Sequence, residues 1–235
     1  MQIILKKTGC LLVACCTLVG VSCQSTSKQA AISNTYIGYY LRYTEDDNTL
    51  RSDATFKQGD SLSVAKPLAM QGNVSLNGQP MPLQHLDLGD YYSISGTKQQ
   101  VDSNYTFSYN DVYQGKLAKQ HVFFPKATNI RLDAANLSLK KGGTLRWDGS
   151  PLRAREELVV QVDDAAQQSH EIHIVGPTQT SSFALASAQL EGIKPGKASI
   201  SVRRMANIPL PESPHTRGSA TTEYYAKEIV VSFVP

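Results

Sequence analysis

The side chains best suited to metal binding lie in one short segment, His170-Glu171-Ile172-His173. On a helix, residues three positions apart share a face, but this segment is predicted to form a strand. On a strand His170 and His173 point to opposite faces, so one metal ion cannot use both as ligands. We therefore predict solvent-exposed or edge histidines here and no metal site.

Acidic clusters are the second group that could bind a metal, in this case calcium. They are Glu45-Asp46-Asp47-Asn48, Asp87 with Asp90, and Asp163-Asp164. None has the alternating spacing and later glutamate of an EF-hand loop. Asp and Asn are also common turn residues, so we predict turns at these places and neither a metal nor a cofactor.

A serine that could act as a nucleophile lies in residues 57–63, KQGDSLS. The tetrapeptide Gly59-Asp60-Ser61-Leu62 resembles the signature of the GDSL (SGNH) family of serine esterases and lipases, which implies Ser61 as the nucleophile. Two partial matches to other family blocks imply Asn110 in the oxyanion hole and His215 as the base. The Asn110 block lacks its glycine, and the His215 block has Glu212 in place of aspartate.

The surroundings of Ser61 differ from those that this family requires. The family's serine ends a buried parallel strand and begins a helix. Here residues 53–58 are mostly polar, and Pro67 leaves no room for a helix. We predict a Gly59-Asp60 turn and no catalytic residues, with an esterase that uses Ser61 as the alternative.

Tyrosines are concentrated between residues 36 and 113. Rings exposed on one sheet face could stack on a sugar or pack against a partner protein. The candidate binding face consists of Tyr36, Tyr40, Tyr91 and Tyr92. Because aromatic residues alternate onto both faces of residues 36–43, some of them must be core, and ordinary core packing is the alternative.

All four cysteines, Cys10, Cys15, Cys16 and Cys23, lie within the first 23 residues. A disulfide framework and a Cys-ligated metal are therefore excluded for the rest of the chain. Lys6 and Lys7 precede an apolar segment, residues 10–21, that is too short for a comfortable transmembrane helix. This pattern is typical of an export signal.

The end of that segment, Gly20-Val21-Ser22-Cys23, resembles the lipobox of bacterial lipoproteins. The resemblance implies a signal peptide of residues 1–22 and acylation of Cys23, with Cys15 as the alternative acylated residue. Gln24, by resemblance to enterobacterial sorting, implies an outer-membrane protein that faces the periplasm. An ordinary secretory signal or an uncleaved anchor is the competing interpretation.

The charge of the chain argues against nucleic acid as a partner. The formal charge of +3 falls to about +1 once Lys6 and Lys7 are removed, and no basic stripe stands out. We interpret Arg203-Arg204, together with Lys194, Lys197 and Arg217, as a solvated strand end that protects a sheet edge. A basic edge that contacts anionic lipid or polysaccharide is the alternative.

Strand signals about every ten residues predict an all-β fold of two β-sandwich domains. Residues 23–34 are small and polar, and we predict a flexible tether there. A boundary at Pro125-Lys126 would separate an N-terminal domain, residues 35–125, from a C-terminal one, residues 126–235. Asn77-Gly78 predicts a hairpin turn.

The C-terminal segment resembles an immunoglobulin-like or fibronectin type III-like sandwich. The resemblance is carried by Leu145-Arg146-Trp147, by residues 158–162 and by the Leu190, Pro195-Gly196 and Val202 pattern. It implies that Trp147 packs in a core.

These features predict a lipid-anchored protein of the bacterial cell envelope, attached to the membrane through its N-terminal lipid. Without a catalytic constellation, a non-enzymatic binding or assembly module for protein or glycan is the preferred function. A passive structural lipoprotein is the other alternative.

Overall fold

Alternation of buried and exposed side chains runs through most of the chain, as in the first strand, where Ile37, Tyr39 and Leu41 are buried. The computed structural model describes residues 34–87, 89–98 and 101–235. The predicted signal peptide, Cys15, Cys23 and residues 23–33 of the predicted tether lie outside the described residues, and Asn34, the last residue of the predicted tether, begins the first strand. The described chain is all-β, which confirms the predicted fold class.

The strands are β1 (Asn34–Thr44), β2 (Thr49–Gly59), β3 (Lys66–Pro67), β4 (Ser75–Leu76), β5 (Gln79–Pro80), β6 (Leu83–Leu86), β7 (Gly89–Thr97), β8 (Asn104–Asp111), β9 (Lys116–Phe123), β10 (Thr128–Leu132), β11 (Asn136–Ser138), β12 (Gly143–Asp148), β13 (Glu156–Asp163), β14 (Ser169–Val175), β15 (Ser182–Leu185), β16 (Gly196–Pro209), β17 (Thr216–Tyr225) and β18 (Ile229–Val234). One 3-10 turn, Ser187–Leu190, lies between β15 and β16. No helix in these described ranges has the length and hydropathy to cross a membrane.

The described residues form three sheets. Sheet A, the largest, has the order β11-β18-β16-β17-β1-β2-β7-β6, with β13 and β14 added beside β16 and β3 beside β2. Sheet B has the order β5-β4-β8-β9, and sheet C the order β10-β12-β15. The predicted hairpin at Asn77-Gly78 is confirmed between β4 and β5. Both of its residues have positive φ, 49° and 80°.

Sheet A joins the two halves of the chain. β1 pairs in parallel with β17 along its length, and β2 pairs with β1 on the other side. Buried residues from Ile37 to Phe233 belong to one hydrophobic cluster, and the residues from Asn34 onward form one compact unit. The predicted boundary at residue 125 falls in the connection between β9 and β10. That each half folds independently stays a prediction.

The sheets are layered with their apolar faces together. On the inner face of sheet A, the Tyr39 ring stacks on Phe107 of sheet B, with ring centroids 3.8 Å apart. Phe56 likewise packs against Tyr109, with centroids 5.2 Å apart. Trp147 of sheet C is buried and its Nε1 donates to the carbonyl of Ser150 at 3.1 Å. The core position that the sandwich resemblance implied for this tryptophan is therefore present.

A charged residue lies within this core. Arg204 on β16 has 0% of its surface exposed and pairs with the carboxylate of Glu156 on β13. Its Nη1 donates to the carbonyls of Lys126 at 2.7 Å and Ser150 at 2.9 Å, and its Nη2 donates to the carbonyl of Pro151 at 3.1 Å. The sequence interpretation of Arg204 as solvated is wrong, because the pleat of β16 turns it to the inner face. The guanidinium instead holds the connection at Lys126 against sheet A.

Candidate functional site

The outer face of sheet A carries most of the predicted tyrosine face. β1 directs Tyr36 and Tyr40 outward, and both are half-buried. Tyr91 on β7 also points outward, since its neighbour Tyr92 lies beside the inward-facing Ala54. Tyr92 is in the core, 5% exposed, and its hydroxyl accepts from the backbone N–H of Met70 at 2.8 Å. Three of the four predicted residues therefore share a face.

Tyr40 belongs to a charged network on this face. Its hydroxyl donates to Glu223 Oε2 at 2.6 Å, and the Tyr225 hydroxyl donates to the same oxygen at 3.1 Å. Arg203 Nη1 donates to the Tyr225 hydroxyl at 3.1 Å, and the guanidinium carbon of Arg42 lies 4.3 Å from the centroid of the Tyr225 ring. Burial, reinforced by the bond to Glu223, raises the pKa of Tyr40 well above its ordinary value. Hydrogen bonds to Glu223 thus hold both rings in place.

Sheet B presents a groove that the sequence interpretation missed. The groove has a volume of about 770 Å³ and lies over the outward side chains of β8 and β9. It is lined by Gly72, Asn73, Ser75, Asn77, Gly78, Pro80, Thr106, Ser108, Asn110, Leu117 and Lys119. Lys119 is the one charged residue of that lining, and the lining contains no carboxylate.

Turns and side-chain amides fix the walls of this groove. Asn77 accepts from the backbone N–H of Thr106 through its Oδ1 and donates its own N–H to the Thr106 carbonyl, both at 2.8 Å. Asn110 Nδ2 donates to the carbonyl of Gln71 at 3.2 Å. Gly72 has a φ of 85°, a conformation that other residues rarely adopt, so this wall favours glycine.

Several polar side chains in the groove have their hydrogen-bonding capacity unused. Thr106 Oγ1 contacts His121 Nδ1 at 3.0 Å. Among the described residues, Asn73, Ser75, Ser108 and Lys119 have no side-chain hydrogen-bond partner. The signal in the sequence was the alternation of Thr106, Ser108 and Asn110 with buried aromatic residues along β8. Such a strand lays hydroxyl and amide groups in a row on one face.

The three residues that the esterase resemblance implied, Ser61, Asn110 and His215, lie in different parts of the structure. Ser61 follows β2, which is antiparallel to its sheet neighbours, and turns at residues 62–64 follow it. Its exposed hydroxyl hydrogen-bonds with that of Ser63 at 3.0 Å. Asn110 belongs to the groove of sheet B, and the His215 ring packs on Tyr113 with centroids 5.3 Å apart. Each of the three thus has local partners of its own.

His170 and His173 lie on a strand, β14, as predicted. His170 pairs with the inward Val162 and His173 with Val159 of the other face. His170 Nε2 lies 3.2 Å from Asp164 Oδ2, and His173 Nδ1 lies 2.5 Å from Glu157 Oε1. In the described part of the chain no three His, Cys, Asp or Glu residues are grouped to hold a metal.

Asp164 is a buried carboxylate that organises the turn between β13 and β14. Burial by itself would raise the pKa of Asp164. Hydrogen bonds from the backbone N–H groups of Gln168, Lys194 and Ala166, and from His170, instead lower it to about 2. This acidic residue therefore has a structural role. Residues 45–48 and Asp87 form the predicted turns, but the prediction is wrong for Asp90 and Asp163, which lie on β7 and β13.

No protein-family model matches the chain. No curated protein is significantly similar to it either. Among solved structures, one that aligns is a crystal structure of a tetra-tandem repeat in the extending region of a large adhesion protein. The identity is 11%, the alignment covers 85% of this chain and 49% of the other, and the TM-score is 0.31. The chain thus spans about half the length of that structure, and a TM-score this low does not establish a shared fold.

Proposed function

We propose that the protein is a lipid-anchored, non-enzymatic module of the bacterial cell envelope that binds a glycan. The observation that carries this proposal is the groove of sheet B. Its volume is in the range of small-ligand sites, about 300–1,000 Å³. The unpartnered hydroxyl, amide and ammonium groups of Ser75, Ser108, Asn73 and Lys119 suit the dense hydroxyl groups of a saccharide.

The composition of the groove favours a glycan over other ligands. Pro80 and Leu117 supply small apolar surfaces against which the C–H faces of a sugar can pack. Lys119 in a lining without carboxylates suits a saccharide that carries an acidic or amide substituent. The groove residues are on strands and tight turns, so little ordering cost accompanies binding.

The glycan proposal can be tested by titrating the chain from residue 24 onward with defined envelope saccharides. The probes are N-acetylglucosamine oligomers and lipopolysaccharide O-antigen fragments, and binding is measured by calorimetry. Ser108→Trp fills the groove and should weaken binding at least about tenfold, whereas Thr221→Trp on the outer face of sheet A should leave it unchanged. The proposal fails if neither probe class binds, or if Ser108→Trp binds as well as the parent chain.

The anchor is supported by the resemblance of residues 20–23 to a lipobox. Growing cells with an alkyne-tagged fatty acid should label the protein, and Cys23→Ala should abolish the label. Loss of the label in Cys15→Ala with retention in Cys23→Ala would assign the lipid to Cys15. An unlabelled parent chain would disprove the anchor.

A second candidate function is assembly with a protein through the outer face of sheet A. The network of Arg42, Arg203, Tyr40 and Tyr225 favours it, because arginine and tyrosine are the residue types that dominate protein interfaces. Crosslinking in the native envelope, with a photoreactive residue in place of Thr221, would identify such a partner.

A further inference from the structure

The loop after β2 exposes apolar side chains to solvent. We call residues 60–65 the β2–β3 tip. Leu62 and Val64 in this tip are 60% and 65% exposed. The tip folds back on the strand: the backbone N–H of Val64 donates to the Ser61 carbonyl at 3.3 Å, and a Cβ at Gly59 would lie 2.7 Å from the Ala65 Cα. A compact turn therefore keeps Leu62 and Val64 exposed to solvent.

A second apolar projection stands beside the tip. β3 pairs with the end of β2, which places Pro67 opposite Lys57. The turn between β6 and β7 adjoins this strand, because a Cβ at Gly89 would lie 2.7 Å from the Pro67 ring. Leu86, which pairs with Gly89, is 61% exposed. Three exposed aliphatic side chains thus project from adjoining turns at one end of sheet A.

The N-terminal segment of the chain joins the described structure at this same end. Asn34 pairs with Gly59, and Asn34 Nδ2 donates to the carbonyl of Asp60 at 3.4 Å. The hydroxyl of Tyr36 donates to the same carbonyl at 3.2 Å. Cys23 precedes Asn34 by eleven positions, so an acyl group on Cys23 is at most about 40 Å of chain from the tip. An anchor at Cys23 would therefore attach the described structure to its membrane at this end of the sheet.

We propose that the β2–β3 tip and Leu86 insert into the surface of the lipid bilayer that holds the acyl chains of the protein itself. This inference rests on the proposed anchor. Partial burial of Leu62, Val64 and Leu86 at the interface removes apolar surface from water. β1 and β2 would then stand away from the bilayer, with their connecting turn about 30 Å further out.

The charges around the tip determine which lipids it fits. Exposed or half-exposed charged residues at this end include the basic Lys57, Lys66 and Arg217 and the acidic Asp60, Asp87, Asp90 and Glu212. Basic residues are not in excess among them, so attraction to anionic lipid does not drive the contact. Insertion of the apolar side chains predicts equal contact with zwitterionic and anionic vesicles.

The test supplies the anchor chemically, so it does not depend on acylation in cells. Residues 23–235 contain the whole described unit and one cysteine, Cys23, which is coupled to a maleimide phospholipid in phosphatidylcholine vesicles. Leu62→Trp reports the tip, and Asp46→Trp, in the exposed turn at the far end of the same strands, is the matched control. The native Trp147 is buried and gives a common background.

Brominated phosphatidylcholine should quench about half of the added emission in Leu62→Trp and almost none in Asp46→Trp. Addition of phosphatidylglycerol should change neither value. Equal quenching at both positions would overturn the proposal. It would also be overturned if Leu62→Trp emission shifted to the blue without bromine quenching, since that indicates a protein partner or a second copy. Failure of fatty-acid labelling in cells, by contrast, would disprove the anchor alone.

Discussion

Arg203 and Arg204 are consecutive residues of β16 with opposite environments. Arg204 points to the inner face, where three backbone carbonyls and the carboxylate of Glu156 surround its guanidinium. Arg203 points to the outer face, is half-buried, and donates to the hydroxyl of Tyr225. One step along a pleated strand therefore separates an arginine that holds the core together from one that shapes a surface.

The comparison teaches that burial of a charge is tolerated here because most of its hydrogen bonds are made. Nη1 and Nη2 of Arg204 both have partners, and of its three guanidinium nitrogens only Nε is buried without one. Desolvating a guanidinium costs several kcal/mol, and about that much must be recovered by such contacts. Removal of either charge leaves the other buried without its ion-pair partner.

The largest effect is expected from Arg204→Met. It removes the ion-pair partner of the buried Glu156 carboxylate, which keeps only the backbone N–H of Arg153 as a donor, and it removes the donor to the carbonyls of Lys126 and Pro151. The free energy of unfolding should fall by about 3–5 kcal/mol. Urea denaturation measures this change. The double variant Arg204→Met with Glu156→Met should recover part of the loss, because no lone charge is then buried. A loss below about 1 kcal/mol in the single variant would contradict the role of Arg204.

The buried carboxylate of Asp164 is the negatively charged counterpart of the buried Arg204. Asp164 has a folded-state pKa of about 2, below its ordinary unfolded value of about 4. A depressed pKa stabilises the fold fully above about pH 4, and the contribution is lost as the pH falls towards 2. Asp164→Asn should therefore be less stable than the parent chain at neutral pH, and the gap should close between about pH 4 and 2. Denaturation series across that range measure it, and a gap independent of pH would contradict the assignment.

Arg203→Met is the matched control for Arg204→Met, since it makes the same substitution one residue earlier. It removes the hydrogen bond to Tyr225 and a cation–π contact at 5.6 Å from that ring, which are partly solvated. The expected loss of stability is about 1 kcal/mol or less, measured by the same urea denaturation. A loss as large as that of Arg204→Met would remove the distinction between the two faces.

The sequence predicted the elements of this fold better than their arrangement. Local signals such as the Asn77-Gly78 turn and the strand at residues 169–175 were sufficient, because they depend on neighbouring residues. The parallel pairing of β1 with β17 depends on residues far apart in the chain, so no periodicity could indicate it. Arg204 was misinterpreted for the same reason: its carbonyl acceptors, Lys126, Ser150 and Pro151, come from two distant loops.

In the candidate sites, too, the sequence predicted the local features but not those that depend on tertiary contacts. Strand alternation was enough to place Tyr36 and Tyr40 on the same face. The sequence did not reveal the register of β7 against β2, which places Tyr92 in the core. The groove of sheet B needed the β4–β5 hairpin to be laid against β8, which again is a tertiary contact. Polar alternation along β8 was the part of that site visible in the sequence.

The smallest effect is expected from Ser61→Ala. Ser61 is a polar residue that lies neither in the core, as Arg204 does, nor in a surface network, as Arg203 does. The Ser61 side chain is exposed and hydrogen-bonds with Ser63 alone among the described residues. Its removal should change the free energy of unfolding by less than about 0.5 kcal/mol. A nucleophile needs a base within hydrogen-bond reach, and the candidate base His215 instead packs on Tyr113. Parent and variant should therefore hydrolyse p-nitrophenyl acetate at the same background rate. A parent rate well above background that Ser61→Ala abolishes would make the protein an esterase.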